Sequence, residues 1–378
     1  MASIIQTKII KVDPEQPDEK IIQKAAEVLI SGKLVAFPTE TVYGLGANAL
    51  DPGAVEKIFW AKNRPYSDPL IVHINEINQL HDVAKNIPKI ALLLAERFWP
   101  GPLTFILERH LNVSSKVSEG LNTVAVRMPR HKIPQLLITY AGVPIAAPSA
   151  NLFTRPSPTT ADHVYADLNG RVDLILDGGP SAIGLESTVL DLTQADPVIL
   201  RPGGCSLEAL SSVIPNVTVT ARPGKLDNGS TASVSPGMMA KHYSPNAKVL
   251  LFSGERGFTL QRMVSVARQL ISNDINVGVL VADEHKHGFD GVNVKLQLLG
   301  PERDLEQISH NLFAGIRALD ESCVDVILVM DFEREGLGLA ISDRLFRASE
   351  GMVISQHVDR HLVLRIGNKE IELEIGKG

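Results

Sequence analysis

The sequence predicts an α/β protein of two domains in series: a mixed, twisted sheet with helices, then a smaller parallel, doubly wound sheet. Three observations predict it. The chain has 378 residues, more than one hydrophobic core usually supports. Short apolar runs of strand length alternate with amphipathic helical patterns along its whole length. Up to about residue 215 the strands are closely and unevenly spaced, whereas from Lys248 onward they alternate regularly with helices.

Glu19 to Ile30 reads as an amphipathic helix closed by Gly32, and Leu34 to Phe37 as a short buried strand. Pro38-Thr39-Glu40-Thr41-Val42-Tyr43-Gly44-Leu45-Gly46 then reads as a loop dense in hydroxyls, with one carboxylate and paired glycines. Glycines let a backbone pass close to a ligand, and threonines offer donors and acceptors. Gly44 to Ala49 resembles a dinucleotide fingerprint, but it stands apart from the strand and lacks the acidic residue downstream, so it carries little weight. Asp51 caps a helix running to about Ala61, with Pro52 at its first position. Lys62-Asn63-Arg64-Pro65-Tyr66-Ser67-Asp68-Pro69 follows, leading into the strand Leu70 to Ile74, which holds His73. Two cations on a proline-stiffened turn suit a polyanion such as a nucleotide phosphate tail, and the competing reading is a solvated loop.

Pro88 to Phe98 is helical and breaks at Trp99-Pro100-Gly101-Pro102. Leu103 to Glu108 and Thr123 to Pro129 are strands, the second carrying Arg127, and His131 to Tyr140 is a helix. The buried strand Val143 to Ala147 runs into Pro148-Ser149-Ala150-Asn151, a hydroxyl and an amide at a strand's C-terminal end, where α/β folds place ligands. Arg155 to Thr160 is a rigid polar loop holding Ser157, and Thr160 or Asp162 caps the next helix. Strands at Asp173 to Leu176, Ser187 to Leu192 and Val198 to Leu200 complete the domain, the last ending at Arg201. Residues 220 to 247 have linker composition, yet Ser235 to Pro245, with His242 and Tyr243, is too specific for a plain spacer. Beyond it we expect strands at Val249 to Phe252, Val277 to Val281, Val292 to Leu298 and Val326 to Met330, and helices at Gln261 to Ser272, Leu305 to Leu319 and Glu333 to Ala348. Asp283 to His287 could bind a metal, although a solvated loop fits it better.

Bulk numbers exclude several classes. Only Cys205 and Cys323 occur, so a cysteine-rich zinc site and a disulfide framework are out, which fits the reducing cytosol. No apolar run is long enough for a membrane span, and the N-terminal residues lack a signal-peptide layout, so a cytoplasmic protein is expected. The first 215 residues carry 19 Lys and Arg against 22 Asp and Glu, which argues against stable nucleic-acid binding. The P-loop, H-E-x-x-H, G-x-S-x-G and H-R-D patterns are missing. What remains is five cations, Lys62, Arg64, Arg127, Arg155 and Arg201, with hydroxyl turns at Thr39, Thr41, Ser149, Ser157, Ser187 and Thr188. Such a set suits polyphosphate plus a small anion, with catalysis by positioning and charge neutralisation.

PTETVYGLG, KNRPxxxPL, TVAVRMP, APSAN and SPGM…HYSP, in this order, resemble the threonylcarbamoyl-AMP synthase family in its two-domain, YrdC-type form. The resemblance covers essentially the whole chain. It implies a YrdC-like catalytic domain at 1–217, a linker at 218–247 folding over the active site, and a Rossmann-like C-terminal domain at 248–378. It also implies formation of L-threonylcarbamoyladenylate and pyrophosphate from L-threonine, bicarbonate and ATP, with Mg²⁺, and hand-over of the product to a tRNA threonylcarbamoyl-transfer complex. By the same resemblance Lys62, Arg64, Ser149 and Asn151 form the catalytic tetrad on the ATP phosphates. Asp68, Thr123, Ser157, Arg201 and Tyr243 would also contact ATP, and Thr41, His73, Arg127, Ala147 and Ser187 would bind L-threonine. Many relatives carry Asn where this chain has Asp68, whose carboxylate would repel phosphates unless it faces Mg²⁺ or the adenosine hydroxyls.

Overall fold

The computed structural model describes residues 5–66, 68–220, 242–355 and 361–375. The expected linker at 218–247 therefore falls largely outside the described residues. The chain divides into two compact units, Met1–Phe153 with Ser157–Met239, and Thr154–Pro156 with Ala240–Gly378.

In chain order the first unit contains β1 (Lys8–Lys11), α1 (Glu19–Ile30), β2 (Val35–Phe37), β3 (Gly44–Asn48), α2 (Pro52–Lys62) and β4 (Ile71–His73). It continues with α3 (Leu80–Val83), β5 (Ala84–Lys85), α4 (Lys89–Phe98), β6 (Leu103–Arg109), β7 (Thr123–Arg127), α5 (Lys132–Ala141) and β8 (Ile145–Ala146). The last elements are α6 (Ala161–Leu168), β9 (Leu174–Asp177), β10 (Thr188–Asp191), β11 (Val198–Arg201), α7 (Leu207–Ser211) and β12 (Thr218–Val219). The sheet runs β1-β9-β2-β3-β8-β4-β7-β6-β10-β11-β12, with β5 on β6. Pairing is mixed, parallel at β4·β7 and β6·β10 and antiparallel at β6·β7 and β3·β8.

Local chemistry explains the helices. In α1 the buried residues are Ile22, Ala25, Ala26 and Leu29, one face of a 3.6-residue period, and Asp18 caps it through the Lys20 N–H. In α2 the Asp51 side chain accepts from the Gly53 N–H at 2.8 Å, and the helix ends at Asn63 in the left-handed region, φ 51°.

The paired glycines are a correction to the loop expected around them. Gly44 and Gly46 lie inside β3, opposite Phe37 and Val35 of β2. A Cβ on Gly46 would stand 2.6 Å from Phe37 Cε1 and 2.9 Å from Ile145 Cγ2. These glycines admit neighbouring side chains, rather than a dinucleotide.

Residues paired across strands share a face of the sheet. One face carries Val72, Val124, Val126, Phe105, Leu107 and Leu190 in the large core. The other face is divided. Over β2, β8 and β9 it packs against α1 and α5 through Val35, Phe37, Ile145, Ala147 and Leu174. Over β4, β7, β6 and β10 it holds only a small apolar cluster, Ile71, Ile106, Ala125 and Val189, with Leu200 against it.

The second unit holds a parallel sheet, as expected for a doubly wound fold. It contains β13 (Lys248–Phe252), α8 (Arg256–Ser272), β14 (Val277–Val281), β15 (Lys295–Leu298), α9 (Leu305–Glu321), β16 (Val326–Met330), α10 (Gly338–Ala348) and β17 (Val353–Ile354). The order is β15-β14-β16-β13-β17, and a hairpin of β18 (His361–Ile366) and β19 (Lys369–Glu374) follows. Asp283 to His287 belongs to a short 3-10 helix, and no group of three or more metal-ligating side chains occurs among the described residues. No helix among the described residues is long and apolar enough to cross a membrane.

Candidate active site

The divided face is where the polar residues gather. Strand register places His73 opposite Arg127, Arg127 opposite Thr104, and Thr104 opposite Val189. Their side chains therefore form one row across four strands, next to the small apolar cluster.

Arg127 organises the first part of the site. It is buried, and its Nε donates to the Gly101 carbonyl at 3.2 Å, Nη1 to Thr41 Oγ1 at 2.8 Å, and Nη2 to Glu40 Oε1 at 2.7 Å. The loop that presents Thr41 and Glu40 is tied down by Thr39, whose hydroxyl donates to the Val42 carbonyl at 2.7 Å and accepts from the Thr41 and Val42 N–H groups. Burial, reinforced by the Arg127 charge, pushes the His73 imidazole down to about 3, so it is neutral near pH 7. Its Nδ1 has no hydrogen-bond partner among the described residues, and its ring meets Phe37 edge-on at 6.4 Å.

The second part is the turn after β8. The backbone N–H of Ala150 donates to the Tyr43 carbonyl at 2.9 Å, and that of Leu45 to the Pro148 carbonyl at 2.8 Å. These bonds set Ala147 to Asn151 beside the Thr41 loop. Lys62, at the end of α2, sends its ammonium into this turn, to the carbonyls of Ser149 and Asn151 and to Asn151 Oδ1 at 3.3 Å. Ser149 Oγ donates to Asn151 Oδ1 at 2.6 Å. Lys62 and Asn151 are buried and Ser149 is half-buried. Ala147 is fixed by its N–H to the Ile71 carbonyl at 2.8 Å.

Arg64 and Asp68 close on each other. Arg64 Nη2 stands 2.8 Å from Asp68 Oδ2, and the same guanidinium donates to the Asp68 and Pro69 carbonyls. The half-buried Glu119 lies nearby: burial pushes its carboxyl up to about 7, Arg64 pulls it down, and Asp68 pushes it up. Thr123 is half-buried at the start of β7. On the far side of the row, Ser187 Oγ shares a hydrogen with Thr104 Oγ1 at 2.7 Å, and Arg201 Nη2 donates to the Ser187 carbonyl at 2.9 Å. Ser157 donates to Glu186 Oε1.

Two expected residues group with the second unit. Tyr243 belongs to the second unit, where it is buried against Phe313 at 5.3 Å and beneath Arg344 at 5.1 Å. Arg155 groups with the same unit and pairs with Asp320 at 3.1 Å. Conversely, Glu40, Thr104 and Glu186 are central here, and the sequence pattern assigns them no role. The only sign of Glu40 was a lone carboxylate in a hydroxyl-rich loop.

Comparison with known proteins matches both units. A family model described as "Telomere recombination" matches residues 27–203, and one described as "Threonylcarbamoyl-AMP synthase, C-terminal domain" matches residues 205–350. The threonylcarbamoyl-AMP synthase of Pyrococcus abyssi is 45% identical over 340 residues, covering 90% of this chain and 97% of that protein. The one from Bacillus subtilis is 44% identical over 334 residues, covering 88% of this chain and 94% of that protein. The crystal structure of P. abyssi Sua5 complexed with L-threonine superposes with a TM-score of 0.87 at 44% identity, covering 93% of this chain and 100% of that one. Sequence motifs, sheet topology and these full-length matches agree, and the chain belongs to the threonylcarbamoyl-AMP synthase family.

Proposed function

We propose that the chain is a nucleotidyltransferase that forms L-threonylcarbamoyladenylate and pyrophosphate from L-threonine, bicarbonate and MgATP. The observation that carries this reading is the meeting of Arg127, His73 and Thr41 with the Lys62–Ser149–Asn151 turn, joined through the backbone bonds of Tyr43 and Leu45. A guanidinium with neutral donors suits an amino-acid carboxylate, and a lysine beside a hydroxyl and an amide suits phosphates. The relative complexed with L-threonine supports the amino-acid half.

In this reading Thr41, His73, Arg127, Ala147 and Ser187 hold threonine. Lys62, Arg64, Ser149 and Asn151 hold and polarise the phosphates, with Asp68, Thr123, Ser157, Arg201 and Tyr243 on the rest of ATP. The threonine ammonium first gives up a proton to solvent, and the free amine then attacks bicarbonate, giving a carbamate with loss of water. A carbamate oxygen then attacks the α-phosphorus in line, the bond to the bridging oxygen breaks, and pyrophosphate leaves. The cationic groups stabilise charge that builds on the phosphates. Mg²⁺ enters with ATP as part of the substrate. The product would pass to a tRNA threonylcarbamoyl-transfer complex in the cytoplasm.

The test is pyrophosphate release from ATP with threonine and bicarbonate omitted in turn, for the wild type and Lys62→Ala. Release should need both substrates and fall at least about 100-fold in the variant, as expected for losing a charged group on the transferring phosphates. A thermal melt checks that the variant folds. Release that ignores threonine would refute the proposed substrate.

A further inference from the structure

We propose that Glu40 binds the α-ammonium group of the amino-acid substrate through Oε2, while Arg127 takes the carboxylate. The proposal rests on the reading of this site as the amino-acid site. Glu40 is only 5% exposed. Its Oε1 accepts from Arg127 Nη2 at 2.7 Å, while Oε2 is buried and has no hydrogen-bond partner among the described residues. A buried carboxylate oxygen without a donor is costly, and a substrate ammonium is one group that would supply the donor.

The loop cannot easily swing this oxygen out to water. The Glu40 carbonyl accepts from the Ile183 N–H at 2.8 Å, and the Thr41 carbonyl from the Gly184 N–H at 3.1 Å. His131 is near enough to feel the Glu40 charge, but its Nδ1 accepts from the Ile133 N–H at 3.2 Å, and the ring gives Oε2 no hydrogen bond. Arg127 has the matching vacancy. Its bonds to Gly101, Thr41 and Glu40 use three of a guanidinium's five N–H groups, leaving one on each terminal nitrogen. A cation with two spare donors lies against an anion with a spare acceptor. That is the complement of a zwitterion, whose carboxylate and ammonium share one carbon.

The experiment is calorimetric titration of the full chain, without ATP, with L-threonine and with 2,3-dihydroxybutyrate of matching configuration. The second ligand has a hydroxyl where threonine has its ammonium. Wild type should bind threonine at least about 10-fold more tightly than the analogue, the value of a hydrogen bond to a charged group. Glu40→Gln should lose about 10- to 100-fold for threonine and less than about 3-fold for the analogue, with Glu40→Asp in between for threonine. Equal losses for both ligands would mean that Glu40 only positions Arg127, and would overturn the proposal. A wild type that binds both ligands alike overturns it without any variant. A wild type that binds no threonine at all defeats the underlying amino-acid reading as well.

Discussion

Arg64 and Asp68 lie four residues apart on a turn and form a buried ion pair, which under the proposed function gives Asp68 a role beside the phosphates. Asp68 neutralises Arg64. Asp68→Asn removes that charge and leaves Arg64 buried without its counter-ion, a change costing roughly 3 kcal/mol. Phosphates can supply the missing charge, so the variant should melt lower without nucleotide and gain more from MgATP than wild type does. Equal MgATP-induced shifts in thermal unfolding would show that Arg64 does not serve the phosphates. His73 makes a prediction in pH. Its imidazole is pushed from 6.5 down to about 3 in the folded chain, so the unfolded state binds the extra proton as pH falls. Stability from this group is complete above pH 6.5 and is lost on acidification, by roughly 1.5 kcal/mol between pH 6.5 and 5. Between the two pH values the unfolding free energy from urea titration should fall by about that amount more in wild type than in His73→Gln, and identical pH profiles would exclude it. At this scale the proline-flanked Lys62–Asp68 turn and the Ser149–Asn151 turn were legible, because backbone stiffness and side-chain type both mark them. Glu40 and Glu186 were not, since an isolated acid has no periodicity, and its burial depends on partners far away in sequence, Arg127 for Glu40 and Ser157 for Glu186.

The strand pair β2·β3 shows what a helix or strand pattern can and cannot foretell. Gly46 stands between Phe37 and Ile145, and a methyl group there would meet the two side chains at 2.6 and 2.9 Å. Gly46→Ala should therefore destabilise the chain by roughly 1–3 kcal/mol through overpacking, read as a lower urea midpoint. No loss would mean that Phe37 yields freely. Helices α1, α2, α4 and α9 were legible to within about two residues, because apolar spacing and, in α1, α2 and α9, a capping side chain are local signals. Strand β3 was misjudged as part of a loop because Gly-Leu-Gly-Ala has weak strand propensity, and its place in the sheet comes from β2 and β8 on either side. Strand β1, with Lys8 and Lys11 at its ends, and the hairpin β18·β19 escaped for a related reason. They are short or largely exposed, and are held by pairing with β9 and with each other.

Each unit has its own core. Among the described residues, three apolar clusters draw on the first unit alone, and a fourth, from Leu250 onward, on the second. The change from a mixed to a parallel sheet was legible because strand spacing becomes regular from Lys248 onward. The first unit's apolar clusters are large enough to support a stable fold alone. A fragment ending at Thr220 should thus melt cooperatively. It also contains Glu40, Thr41, His73, Arg127 and Ser187, so its threonine affinity should stay within about 3-fold of the full chain, as independent sites allow. It lacks Tyr243 and everything after it, so under the proposed function a loss confined to pyrophosphate release would assign the remaining residues to nucleotide use. A cooperative fragment that cannot bind threonine would instead show that the amino-acid site needs the second unit, and the division of labour argued from the first unit's own sheet would fail.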